Sequence, residues 1–220
     1  MNWLLSAPLF LQRHLAFIAM LFLAANHAIG IVGLNTQQRL LFENVSWINL
    51  LLSLLVLLAF QKPLGKNTLT FSAFAFALGM LVEVLGVNTG FPFGTYYYTQ
   101  KFGTQVFGVP LIIGLNWVLL SYCCGIIVQP YFNNDLLRIV AASALMLALD
   151  LLLEPFAIRH TFWVWKDVTP PIENFLSWFV VSLPIQWVFR KQMAGSSNKI
   201  STAYLLILVS FLIADLLASH

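Results

Sequence analysis

Asp150 and Glu154 stand four residues apart in the stretch ALDLLLEPFA. On a helix that spacing puts both carboxyls on one face, one turn apart. Their neighbours are apolar, so the pair is drawn out of water, and two like charges repel when both are ionised. One of the two is expected to keep its proton, which sets a general acid beside a general base. Pro155 follows directly and frees a backbone carbonyl one turn earlier. The competing reading is a structural pair tied to Arg159, His160 or backbone amides.

Two more carboxylates are candidates for proton transfer. Glu83 closes a smooth apolar run and precedes Asn88 at the start of a Gly- and Tyr-rich bend. The stretch EVLGVNTGFPFGTYYYTQKFGTQVFGVPLIIGLNW runs from Glu83 through that bend to Asn116 and Trp117. Glu173 lies in TPPIENFLSWF, where Thr169 is placed to cap a helix and Pro170 to occupy its first position. In that first turn the helix dipole alone favours an anion. Asn88, Asn116 and Asn174 are candidates to orient water or a carboxylate. Tyr96, Tyr98, Trp117 and Trp165 are candidates to line a pocket, because aromatic faces stabilise a developing cation. Tyr96, Tyr97, Tyr98, Trp163 and Trp165 equally suit an interfacial aromatic belt. His27, beside Asn26, is a candidate binding residue. It has no second histidine at ligand spacing, so no metal is expected. Gly86, Gly90 and Gly94 repeat at every fourth position, and a turn explains them better than helix packing.

The elements that position these groups follow from composition. The 220 residues are 60% hydrophobic and 9% charged. A soluble domain carries roughly 25% charged residues, so the chain is an integral membrane protein. A bilayer span needs about 20 apolar residues. Seven stretches qualify, at 15–34, 45–60, 68–87, 108–128, 136–157, 173–189 and 200–218, the second and sixth being the shortest. The expected fold is all-α, one transmembrane domain over residues 1–220 with about seven spanning helices. Trp3, Leu4, Leu5, Pro8 and Phe10 suit an interfacial segment. No basic residue precedes the first apolar run and no small-residue cleavage site follows it, so the first helix is expected to be retained. Cys123 and Cys124, adjacent in an apolar run, are expected to be free buried thiols.

Seven spans place the loops between helices 3 and 4 and between helices 5 and 6 on one side of the membrane. Glu83, Asp150, Glu154, Glu173 and Asn174 all lie near that side, His27 in the half of helix 1 nearer to it, and Asp215 at the matching end of helix 7. Asp215 is expected to pack or to reach water at its helix end. The opposite side holds Arg13, Lys62, Lys66, Arg138, Arg190, Lys191 and Lys199, against Arg39, Lys101, Arg159 and Lys166 on the carboxylate side. Seven basic residues against four make the N-terminal side cytoplasmic. The small net charge of +3 fits orientation rather than nucleic-acid binding. The last apolar run contains no lysine for a retinal Schiff base. There is no phosphate loop, no Ser-His-Asp order and no HExxH.

The motifs EVLGVNTGFPFGTYYYT, FGVPLIIGLNWVLLSY, ALDLLLEPFA with WVW, and PPIENFLSWF, in this order over roughly residues 25–190, resemble the CruF-type membrane carotenoid 1,2-hydratases. That family includes gamma-carotene 1',2'-hydratases and bisanhydrobacterioruberin hydratases. PPIENF replaces the glycine-containing version usual there. The resemblance implies acid-catalysed addition of water across the terminal C1–C2 double bond of an acyclic carotenoid, without a cofactor. It implies a polyene substrate, the bilayer and other enzymes of carotenoid synthesis as partners, and a prokaryotic cytoplasmic membrane as the location. It transfers no catalytic residue. On chemical grounds Asp150 and Glu154 are the expected acid–base pair, with Glu83 and Glu173 next. A carotenoid end-group cyclase begins with the same protonation and has the same requirements. A non-enzymatic lipid or carotenoid binder, or a small transporter, is the remaining reading, though a transporter would be expected to show repeats or interrupted helices in matching halves.

Overall fold

The seven apolar stretches are seven helices in the computed structural model, which describes residues 9–61 and 63–218. They are α1 (Leu9–Leu34), α2 (Arg39–Ala59), α3 (Lys66–Thr89), α4 (Leu111–Val128), α5 (Asp135–Arg159), α6 (Ile172–Gln192) and α7 (Lys199–Leu217). Each is long and apolar enough to cross a membrane, so the chain is a polytopic helical membrane bundle. Trp3, Leu4, Leu5, Pro8 and Lys62 lie outside the described residues. Phe10 is an exposed residue of α1.

The helices correct several expected boundaries. α2 begins six residues before position 45, because the polar residues there are satisfied within the fold. Glu43 is buried with cationic partners, and Asn44 Nδ2 donates to the Leu40 carbonyl. α6 begins at Ile172 with Pro171, not Thr169, at the N-cap, while Glu173 does fall in its first turn. α5 runs unbroken through Pro155. α7 opens one residue early on Lys199, which is exposed at the end away from the carboxylates.

α4 occupies the middle of the bundle. Its apolar window is 78% buried, against 11% for α1 on the flank. Small residues admit its neighbours. A Cβ on Gly114 would meet Phe76 and Met80, and one on Gly125 would meet Phe189. Cys123 and Cys124 are free and buried here.

Two connections matter for function. α3 ends at Gly90, whose φ of 78° a side chain would strain. The chain turns back and enters β1 (Tyr96–Tyr98). After a 3-10 turn at Gln100–Phe102 it forms a short hairpin of β2 (Gln105–Val106) and β3 (Val109–Pro110) before α4. β4 (Trp163–Trp165) follows α5 and pairs antiparallel with β1, setting Tyr96 opposite Trp165 and Tyr98 opposite Trp163. Backbone bonds from Lys166 to Thr95 and from Thr99 to Phe162 extend the ribbon. The 3–4 and 5–6 connections therefore lie on the same side of the bundle, joined as one two-stranded ribbon.

Candidate active site

Strand alternation decides what the ribbon does. Successive side chains point to opposite faces, so Tyr96 and Tyr98 turn inward while Tyr97 is exposed. Opposite them, the indoles of Trp163 and Trp165 also turn inward. All four inward side chains end on a carboxylate. Glu83 Oε2 accepts from Tyr96 Oη at 2.5 Å and from Tyr98 Oη at 2.8 Å. Glu154 Oε2 accepts from Trp163 Nε1 at 3.1 Å and Trp165 Nε1 at 2.9 Å. β1 thus serves the glutamate of α3, and β4 the glutamate of α5.

The helices complete the site. Trp117 Nε1 on α4 donates to Glu83 Oε1 at 3.0 Å, giving Glu83 three donors. The Trp117 ring stacks on Trp178 of α6 with centroids 4.1 Å apart. Gly79 on α3 makes room for it, since a Cβ there would lie 2.6 Å from the indole. Asn174, one turn before Trp178, donates through Nδ2 to Asp150 Oδ2 at 2.8 Å and to Glu154 Oε1 at 3.2 Å. Glu154 therefore also has three donors. Asp150 has one, and its fully buried Oδ1 has no hydrogen-bond partner. Burial, and next the carboxylate of Glu83, push the Tyr96 and Tyr98 phenols well above their ordinary range, so both remain donors.

Between these groups lies a cavity of about 20 Å³, walled by the three carboxyls, the four ribbon side chains, Asn174, Phe93 and Trp178. A water molecule needs roughly 10–15 Å³ by the same measure. None of the ten lining residues is Lys, Arg or His. Three carboxyls thus share one buried space, and every side chain that donates to them is neutral.

The cations of this face serve a second cluster. Glu43 of α2 accepts from Arg39 Nε and Lys101 Nζ, both at 2.6 Å. The buried His160 ring lies between Glu43 Oε1, 3.2 Å from Nδ1, and Asp215 Oδ1, 3.0 Å from Nε2. Arg159 pairs with Asp215 Oδ2 at 3.2 Å. Lys101 also donates to the His160 carbonyl at 2.6 Å. This cluster joins α2, the 3–4 connection, the end of α5 and the end of α7. It also removes the alternative partners proposed for Asp150 and Glu154, because Arg159 and His160 turn to Asp215 and Glu43 instead.

The structure brings Asp150, Glu154, Glu83, Asn174, Tyr96, Tyr98, Trp117 and Trp165 together. It leaves four other candidates apart. Glu173 is exposed, one position out of phase with the inward Asn174. Asn88 is exposed and donates to the Val84 and Phe107 carbonyls, fastening the end of α3 to the hairpin. Asn116 is half-buried and is not among the cavity-lining residues. His27 of α1 is buried against α7, its Nδ1 donating to the Leu23 carbonyl and its ring edge-on to Tyr204 and Phe211. Sequence reasoning left Phe93 and Trp178 out of the site and did not name Trp163 among the residues lining the pocket. The alternation in YYY and WVW was the signal for Trp163. Phe93 carried no local signal. Among the described residues, no three His, Cys, Asp or Glu side chains are grouped as a metal site.

Fold and site together define a polytopic membrane protein with a cation-free carboxyl cluster beneath an aromatic ribbon at one end of the bundle. The chain belongs to the carotenoid biosynthesis protein family, whose pattern matches residues 44–219 and so takes in every residue of the cavity. A bisanhydrobacterioruberin hydratase of Haloarcula japonica is 24% identical over 112 residues, covering 45% of this chain and 36% of that protein. The matched stretch is therefore little more than a third of the relative. No solved structure matches the chain.

Proposed function

We propose that the protein hydrates the terminal C1–C2 double bond of an acyclic carotenoid. The observation that carries this reading is the water-sized cavity shared by three carboxyls and walled by aromatic rings, with no cation among its lining residues. An unactivated trisubstituted alkene must first take a proton at C2, leaving a tertiary cation at C1. A carboxyl group supplies that proton as general acid. Aromatic faces and nearby carboxylates stabilise the cation, and the absence of Lys and Arg avoids opposing it. A water oxygen then bonds to C1 and gives its proton to a second carboxylate, so one water is added overall. The similarity to a protein named as a bisanhydrobacterioruberin hydratase supports the same reaction class. A polyene about as long as the hydrocarbon core is thick, roughly 30 Å, brings its end to this level while its body stays among lipids or helices. Phe93 and Trp178 are the lining residues without a hydrogen bond to a carboxyl, so they are the walls that yield to the entering end group.

The test is expression in a host that makes lycopene or gamma-carotene, with pigments read by mass spectrometry. Gain of one water is expected. An isomer of unchanged mass would instead establish a cyclase. Unchanged pigment across several acyclic substrates would refute both.

A further inference from the structure

We infer that the three carboxyls divide the reaction: Asp150 protonates the alkene, Glu83 with its phenols takes the proton from water, and Glu154 is a fixed anion facing the cation. The division rests on the hydration reading. It follows from what donates to each carboxyl.

Asp150 has a single donor, and its Oδ1 is buried with no hydrogen-bond partner. Of the six oxygens of the three carboxyls it alone accepts from no donor, so a proton there competes with none. Asn174 already donates to Oδ2 and so receives the carboxylate that forms when the proton leaves. Glu154 is held by two indoles and an amide. Indole and amide N–H groups donate but do not relay protons at ordinary pH. They fix a carboxylate in place and give it no route to exchange. Glu83 differs, because two of its three donors are phenols, and a phenol both donates and accepts. Tyr96 Oη, 2.5 Å from Glu83 Oε2, lies on the cavity wall and can pass a proton inward as its own leaves for the carboxylate.

The step balances. The π pair of C1=C2 forms the new C2–H bond with the Asp150 proton. A lone pair of water forms the C1–O bond to the resulting cation. The surplus proton on that oxygen goes to Glu83, directly or through Tyr96, and returns to Asp150 through water before the next turnover. When water is not captured, the cationic end group turns about C2–C3 until its original C2 hydrogen faces the Asp150 carboxylate, which removes it; the alkene is restored and keeps the proton that Asp150 delivered.

That return path gives a readout that separates Glu83 from the other two carboxyls. Membranes containing the full chain would be incubated with lycopene in D2O, and both hydrated product and recovered lycopene examined by mass spectrometry. Glu83→Gln is expected to lower hydration about 100-fold or more while recovered lycopene continues to gain deuterium. Asp150→Asn is expected to lose both by a similar factor. Glu154→Gln is expected to lower both in parallel, since cation formation precedes either outcome. Tyr96→Phe keeps the Glu83 carboxylate and should show the same split as Glu83→Gln in weaker form, which secures the test if Glu83→Gln fails to accumulate. Loss of labelling in step with hydration in both Glu83→Gln and Tyr96→Phe would overturn the division. So would persistent labelling in Asp150→Asn, or the split appearing in Glu154→Gln. If the wild-type chain neither hydrates nor labels lycopene or gamma-carotene, the hydration reading itself falls. A wild-type chain that hydrates but gives the wrong pattern in the variants refutes only the division.

Discussion

Lys101→Met separates the two charge clusters of this membrane face. Lys101 Nζ lies 2.6 Å from Glu43 Oε2, and their side chains are 18% and 1% exposed. At an effective dielectric of about 20, unit charges at that distance attract by about 6 kcal/mol. Desolvating the ammonium offsets more than half of this. The buried Glu43 carboxylate also keeps Arg39 and His160 when Lys101 is gone. The variant should therefore lose about 2–3 kcal/mol, below the 3–5 kcal/mol of a buried pair broken outright. For a chain of this size that corresponds to a fall in Tm of roughly 4–12 °C. Glu43→Gln, which leaves the cations facing a neutral amide, should lose more. The double variant should fall less than the sum of the two, with a coupling of about 0.5–3 kcal/mol. The assay is thermal unfolding of detergent-purified protein at a fixed scan rate, beside pigment conversion per folded molecule. Conversion per folded molecule should be unchanged, because none of these residues lines the cavity. An unchanged Tm, or conversion lost while the melt stays in place, would refute the assignment of this cluster to the scaffold.

Other perturbations bear on the ribbon and the bend. Trp165→Phe removes one of the three donors to Glu154, at about 1.5–3 kcal/mol for a bond to a charged group. Pigment conversion should fall at least tenfold with the chain still accumulating; Trp163→Phe should act in the same direction. Gly94→Ala places a Cβ 2.6 Å from Pro171 Cγ at a φ of 108°. It should destabilise by more than the 1–3 kcal/mol of ordinary overpacking, read as lost accumulation and a lower Tm. Tyr96 and Tyr98 give an alkaline limit. Their phenols titrate higher in the folded chain than the usual value of about 10. Between the unfolded and folded values the folded state holds more protons, so stability is complete below about pH 10 and falls as pH rises beyond it. Tm measured from pH 8 to 11 should show this decline, and the Tyr96→Phe, Tyr98→Phe double variant should flatten it.

The helices were legible because a membrane span announces itself by length and apolarity alone, and all seven were found. The boundaries that failed did so where a polar residue was taken as the edge of a span. Glu43 and Asn44 sit inside α2 because partners 58 and 117 residues away, Lys101 and His160, satisfy the carboxylate. No window of sequence displays such a partner. Asp150 and Glu154 were legible from the one-turn spacing, and their common face with Glu83 from counting spans. Glu173 was grouped with Asn174 because a one-residue difference in helix phase separates an outward side chain from an inward one, and which face of α6 meets α5 is not visible in the sequence. Asn116 and Trp117 show the same thing on α4. The site's outer wall was hidden by its elements, two strands of three residues each, too short for a periodic signal and paired across more than sixty positions of chain.

The two clusters argue for opposite roles from the same kind of residue. Around Glu43 and Asp215, two carboxylates meet two arginines, a lysine and a histidine, so burial is compensated charge for charge. Such an arrangement is self-sufficient as a clamp between helix ends. Around Asp150, three carboxyls meet indoles, phenols and an amide, none of which neutralises a negative charge. Burying carboxyls without cations costs stability that apolar side chains of similar volume would not. Mutating one Asp or Glu of this set to an isosteric amide should therefore cost the fold less than the same change at Glu43, while costing turnover far more. Paired melts of Asp150→Asn and Glu43→Gln decide it. If Asp150→Asn lowers Tm as much as Glu43→Gln does, the carboxyl cluster is as structural as the clamp, and the catalytic reading of the cavity loses its physical basis.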